Sequence, residues 1–286
     1  MIIKNNILLG NLMMMAALVI YVISDTICKD FLLNYSVAQV SLFRTTARVI
    51  PILLACVFIR KNPIKTQKLD YHLLRSIIAS TSTIMFILAY KYSPMTNVHA
   101  ISYTCAFFIL LFSRIILGEK VRNDCIIAVC IGLIGTSIII RPDFQHGIVN
   151  IGGIFALTGA IFAALNSIMI RKLTSTEHIF TIMIYHNITL LILSAIGCIF
   201  DWKDILDWHT LITGFLIVGT ISAISQSMIS YALSITKSSD LAASAYVTII
   251  PVVLTDIFYW KSTPDVYVIA GMIMVVICNY IVVKKR

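Results

Sequence analysis

Long apolar runs separated by short polar clusters set the rhythm of this chain. Breaks at charged and turn-forming clusters leave apolar segments at about 7–28, 37–59, 72–90, 97–116, 124–141, 150–170, 179–199, 210–233, 241–260 and 265–283. Each is close to the roughly 20 residues that carry a helix across a bilayer. The pattern predicts an all-α polytopic membrane protein with ten transmembrane helices, short connections and no soluble domain. Lys4 precedes the first run as in a secretory leader, but no small-residue cleavage site follows. That run reads as a retained first span.

Composition makes lipid the solvent: 59% of the 286 residues are hydrophobic, 12% are charged and the mean hydropathy is +0.94. The net charge of +9 would suggest a nucleic-acid surface in a soluble protein. Here the basic residues sit between apolar runs and read as topology signals, so no nucleic-acid partner is expected. With the N-terminus inside, fifteen Lys and Arg residues fall on the inner side, among them Lys68, Arg75, Arg114, Arg122 and Arg171. Five fall outside, namely Lys29, Lys91, Arg141, Lys203 and Lys261. The bias puts both termini in the cytoplasm. Trp202, Trp208, Trp260 and Tyr92 stand at predicted span ends, where amphipathic rings anchor at the headgroups.

The two halves repeat. A shift of about 142 residues brings Phe43-Arg44 onto Tyr185-His186, Lys29 onto Arg171 and Asp25 onto Ser167. One residue more brings Ala89 onto Ala232 and Tyr103 onto Tyr246. Five spans per repeat is an odd number, so the second copy runs inverted relative to the first, as in many carriers. The halves divide as 1–143 and 147–286.

Polar residues inside the runs are the candidates for chemistry. Arg44 and Arg48 lie one helical turn apart, about 10 to 17 Å from the outer end of the second span. A charge at that depth needs a partner or a polar cavity. Asp25 on the first span is the expected partner of Arg44, either as a structural ion pair or as a group that yields Arg44 to a substrate carboxylate or phosphate. Arg48 is expected to snorkel or to bind backbone carbonyls. His186, at the repeat position of Arg44, reads as a helix-to-helix hydrogen bond or a proton-coupling group. Asp256 on the ninth span reads as a coupling carboxylate or an interfacial one. Tyr103 and Tyr246 either flank a planar ligand or bond across helices. The stripe Gly152, Ala156, Ala160 and Ala164, with Gly132 and Gly135, reads as close helix packing. Pro51 and Pro251 are expected to bend or break their spans.

Several classes are excluded. The seven cysteines form no CxxC pair and no His stands at metal-ligand spacing, so neither disulfides nor a metal site is expected. No GxxxxGK[ST], GxSxG or HExxH occurs, which excludes ATP-driven transport by this chain and those enzyme classes, and no cofactor is implied.

Leu88-Ala89-Tyr90-Lys91-Tyr92-Ser93-Pro94, Phe107 to Leu117 and Gly118-Glu119-Lys120 resemble the third-to-fourth-span region of the drug/metabolite transporter superfamily, EamA branch. Tyr231-Ala232-Leu233, Tyr246 and Pro264 are similar to the matching region of its second half. Within that branch, Ser24 to Lys29 and Leu42-Phe43-Arg44 resemble the S-adenosylmethionine uptake carriers of obligate intracellular bacteria. The resemblance implies a ten-span inner-membrane carrier with a central cavity, moving a small-molecule solute, with membrane lipid as its other expected partner. The residues read above as substrate-binding are Arg44, His186, Tyr103, Tyr246 and Asp25, with Asp256 for coupling, and the resemblance adds Gly118-Glu119 as the family motif. Trp260-Lys261-Ser262 stands where the second half would repeat Gly-Glu, so a symmetric gate at Glu119 would be broken. S-adenosylmethionine is the leading single solute, an exporter of amino acids or other metabolites the alternative, and a membrane scaffold or sensor the non-transporting one. Oligomeric state has no signal in the sequence.

Overall fold

A computed structural model describes residues 7–59, 66, 68–93, 95–140, 151–205 and 207–258, with isolated helical positions from 266 to 277. The helices are α1 (Ile7–Phe31), α2 (Val37–Ile59), α3 (Leu69–Tyr92), α4 (Met95–Ser102), α5 (Thr104–Ile116), α6 (Asn123–Ile140), α7 (Ile151–Leu173), α8 (Ile179–Phe200), α9 (Trp208–Ile235), α10 (Ser238–Leu241) and α11 (Ile249–Phe258). A 3-10 segment, Ala242–Thr248, joins the last two. Seven stretches among the described residues have the length and apolarity to cross a membrane. Of the tenth expected span, 265–283, six positions are described and all are helical. The rest of it lies outside the described residues, as do Lys4, Pro94, Arg141, Trp260, Lys261, Pro264 and both termini.

The protein is apolar outside and polar within. Ile199, Phe200, Phe258 and Ile115 project outward, while Asn11, Ser24, Arg44, Arg75, His186 and Asn187 are buried. That is the arrangement lipid demands, because no external water satisfies a polar group there.

Packing follows a crossed plan. α3 lies along α7 and α1 along α9, while α2 and α8 pack together and meet α9 and α3 respectively. Ala156, Ala160 and Ala164 on α7 are fully buried, and Gly152 is also buried, so the small-residue stripe is a packing surface as expected. Backbones approach closely between α9 and α2, where a Cβ added at Gly219 would stand 2.5 Å from the Ala47 carbonyl carbon and 2.7 Å from the Arg48 nitrogen. A side chain cannot fit there without separating the helices.

The expected positions of the breaks are corrected. The fourth and ninth spans are not continuous: a turn at Tyr103 separates α4 from α5, and the 3-10 segment interrupts the ninth. These breaks do not fall at the prolines. Pro51 lies within α2, and Pro251 is the third residue of α11, just past the 3-10 segment. The ninth span instead tightens where Ala242, Ala243 and Ser244 let it sit against α1, and Ser244 Oγ bonds Asn11 Oδ1 at 2.5 Å.

Candidate functional site

A cavity of about 290 Å³ lies inside the bundle, near the lower end of the roughly 300–1,000 Å³ typical of small-molecule sites. α1, α2, α3, α7, α8 and α9 contribute to its wall, together with the broken fourth and ninth spans. Its polar lining comes from residues that would be expensive in lipid: Asp25, Arg44, Arg48, Arg75, Asn166 and His186.

At one side Asp25 and Arg44 pair, Oδ1 to Nη2 at 2.9 Å. Both are otherwise engaged. Tyr90 donates to Asp25 Oδ2 at 3.2 Å, Arg44 Nε donates to Ser222 at 3.3 Å, and the guanidinium lies 4.9 Å from the centre of the Tyr21 ring. Ser222 is in turn bonded to Ser24 at 2.6 Å. This network ties α1, α2, α3 and α9 together around one neutralised pair.

Arg48 and Arg75 differ. Arg48 is 2% exposed, and its Nε and Nη2 have no hydrogen-bond partner among the described residues. The expectation that it snorkels or binds carbonyls is therefore corrected. One turn beyond Arg44 on the same helix face, its side chain points along the cavity rather than to the interface. Arg75 is wholly buried; its Nε donates to Asn166 at 2.9 Å, its Nη1 to the Ile182 carbonyl at 2.6 Å, and its Nη2 has no partner. Its reading as a topology charge at the inner end of the third span is corrected as well. The third span begins at Leu69 rather than 72, which carries Arg75 nearly two turns into the helix. His186 is near both guanidiniums, with its Nδ1 unbonded.

Of the expected site residues, Asp25, Arg44, Tyr103 and His186 line the cavity. Tyr246 does not; it stands behind Tyr103, ring centres 5.5 Å apart, and its hydroxyl donates to the Val129 carbonyl at 3.0 Å. Tyr103 is held from the other broken span by Thr248, 3.0 Å from its hydroxyl. The two chain breaks thus meet at one aromatic contact. Gly132 makes room for it, since a Cβ there would come within 2.8 Å of Tyr246 Cγ. Asp256 lies on α11, and its side chain is outside the described residues.

Gly118 and Glu119 are not in the cavity wall. Gly118 ends α5 in the left-handed region, φ 64°, a conformation glycine adopts without steric cost. The turn aims Glu119 at the start of α10, where its carboxylate accepts from Ser239 N and Oγ at 3.3 and 3.1 Å and lies 3.8 Å from Arg171. Arg171 Nη1 also donates to the Leu233 and Ser234 carbonyls at 3.0 and 2.8 Å, and Arg122 lies 3.5 Å from Asp240. Together these bonds latch the end of the bundle where α1, α3 and α8 begin, the basic end. The sequence reading missed Tyr21, Tyr90, His99 and Gln226, all in the cavity wall. The i, i+4 spacing of Tyr21 and Asp25 was a usable signal, since it sets both on one face of α1.

The EamA-like transporter family model matches residues 8–141 and 150–284. The pseudopaline exporter CntI of Pseudomonas aeruginosa is 22% identical over 94% of this chain and 93% of its own length. An S-adenosylmethionine uptake transporter of Rickettsia prowazekii is 20% identical over 89% of this chain and 85% of its own. A solved crystal structure superposes with a TM-score of 0.76 at 13% identity, over 97% of this chain and 96% of that one, which shows a shared fold.

Proposed function

We propose that this chain, which belongs to the EamA-like transporter family, is a secondary carrier that moves a small organic metabolite across a bacterial inner membrane by alternating access. The observation that carries the reading is a charged cavity inside a lipid-facing bundle, walled in part by two interrupted spans. Interrupted helices at mid-membrane are where carriers bind their solutes.

The full arrangement we propose is ten spans in two inverted five-helix repeats, 1–143 and 147–286, with both termini cytoplasmic. The crossed packing supports it: exchanging the halves turns the α3 with α7 pairing into α9 with α1. So does the placing of Asp25 with Ser167, and Arg44 with His186, in the wall of one cavity. Asp25, Arg44, Tyr103 and His186 shape the solute site, Tyr246 buttresses Tyr103, Asp256 is kept as a coupling carboxylate, and the Glu119 latch forms the cytoplasmic gate.

S-adenosylmethionine is the first named solute for assay, on the resemblance of the first two spans. The relatives carry different solutes in their names, so the assay runs several side by side. Purified protein in proteoliposomes is loaded with unlabelled solute and scored for counterflow of radiolabelled S-adenosylmethionine, amino acids and small organic acids. Saturable counterflow of any of them supports the carrier. A scaffold or sensor would give none under any gradient.

A further inference from the structure

Among the charged side chains of the cavity wall, three arginines face one aspartate. Asp25 is consumed by Arg44, at 2.9 Å, and by Tyr90, and Arg44 is further held by Ser222 and Tyr21. Two positive charges remain, on Arg48 and Arg75. Neither has a carboxylate partner among the described residues, both are at least 98% buried, and both carry guanidinium nitrogens with no hydrogen bond. A buried guanidinium is kept in a fold when something neutralises it, and these two point into a space of metabolite size.

We infer that the solute is an organic anion carrying two negative charges, as two carboxylates or one phosphate, and that Arg48 and Arg75 hold them while Arg44 stays locked to Asp25. Guanidinium geometry suits both groups, because its fork of donors matches carboxylate and phosphate oxygens. His186, near both arginines with a free ring nitrogen, supplies a third polar contact between them. The rest of the wall fits an organic body: Phe86, Tyr103, Ile109 and Ile229 are apolar or aromatic. This rests on the carrier reading and narrows it. It also ranks S-adenosylmethionine low, since that solute brings two cationic centres against one carboxylate into a wall already positive.

The test uses the full chain in neutral detergent. Thermal unfolding is followed with succinate, glutarate, phenyl phosphate and adenosine monophosphate, against putrescine and S-adenosylmethionine at the same ionic strength. At least one dianion is expected to raise the melting temperature in proportion to the logarithm of its concentration, while the cations do not. Arg48→Met is expected to melt higher than the parent without solute, because it removes an uncompensated buried charge, and to lose the dianion shift. Arg75→Met keeps the test independent of one variant; it too is expected to lose the shift, although its bonds to Asn166 and Ile182 make it less stable. No shift from any dianion, or a cation shift that survives Arg48→Met, would overturn the inference. Counterflow separates the two levels of the argument. Flux of a cationic solute, unchanged in Arg48→Met, removes the anion and leaves the carrier standing, whereas no flux of any solute removes the carrier itself.

Discussion

Asp25→Leu removes a carboxylate of nearly the same shape from the centre of the bundle and strands Arg44. Breaking a buried ion pair by deleting one partner costs about 3–5 kcal/mol. What remains to Arg44 is the Ser222 hydroxyl at 3.3 Å and the Tyr21 ring at 4.9 Å, and a cation over a ring recovers only about 0.5–2 kcal/mol. About 1–3 kcal/mol of the loss belongs to Tyr90, whose hydroxyl loses its acceptor. Adding Arg44→Met removes the stranded charge, so the double variant is expected to recover all but the Tyr90 share, a coupling of about 2 kcal/mol or more. Reversible unfolding in mixed micelles by titrated SDS measures all four corners of the cycle. A loss under about 1 kcal/mol in Asp25→Leu, or a double variant that loses the sum of the two singles, would show that Arg44 has another partner and refute the network as described.

Three further outcomes follow from the geometry. Glu119→Gln weakens the hold on Ser239 and Arg171, and in a variant keeping Cys125 as its sole cysteine, maleimide labelling of that buried thiol is expected to accelerate about tenfold, as for a 1.4 kcal/mol shift; an unchanged rate would mean the latch does not gate that end. Gly219→Ala forces α9 off α2 and is expected to cost about 1–3 kcal/mol in the same unfolding assay, with a neutral result contradicting the close approach at Arg48. Fusing a fluorescent protein and a periplasmic phosphatase in turn to the C-terminus should give fluorescence without phosphatase activity, and the reverse would invert the proposed topology.

The span pattern was legible because lipid imposes one requirement on every helix, a run of apolar residues, and all nine described spans begin within three residues of the expected start. The Asp25 and Arg44 pair was legible for the same reason in reverse: charges in apolar runs need partners. Breaks in the fourth and ninth spans were not, because neither Tyr103 nor Ala242–Thr248 holds a Gly, a Pro or a charge to mark them, and the interruption depends on what they pack against. Arg75 was misplaced by a start only three residues late, since a basic residue at a span end and one nearly two turns inside look alike in a hydropathy count. Tyr246 was matched to Tyr103 by position in the repeat, but the two rings stand against each other at 5.5 Å and Tyr103 is the one that lines the cavity.

The crossed packing of the halves also governs how the chain is made. α1 must wait for α9, and α3 for α7, before either has its long-range neighbour. Until then the ribosome has delivered Arg44, Arg48 and Arg75 into the bilayer without Ser222, Asn166 or the Ile182 carbonyl. A nascent first half therefore holds Arg44 on Asp25 but leaves Arg48 and Arg75 without compensation, which makes insertion machinery its natural holder. The same interleaving makes splitting the gene between the halves workable only when both products are made together, at one membrane and at one time.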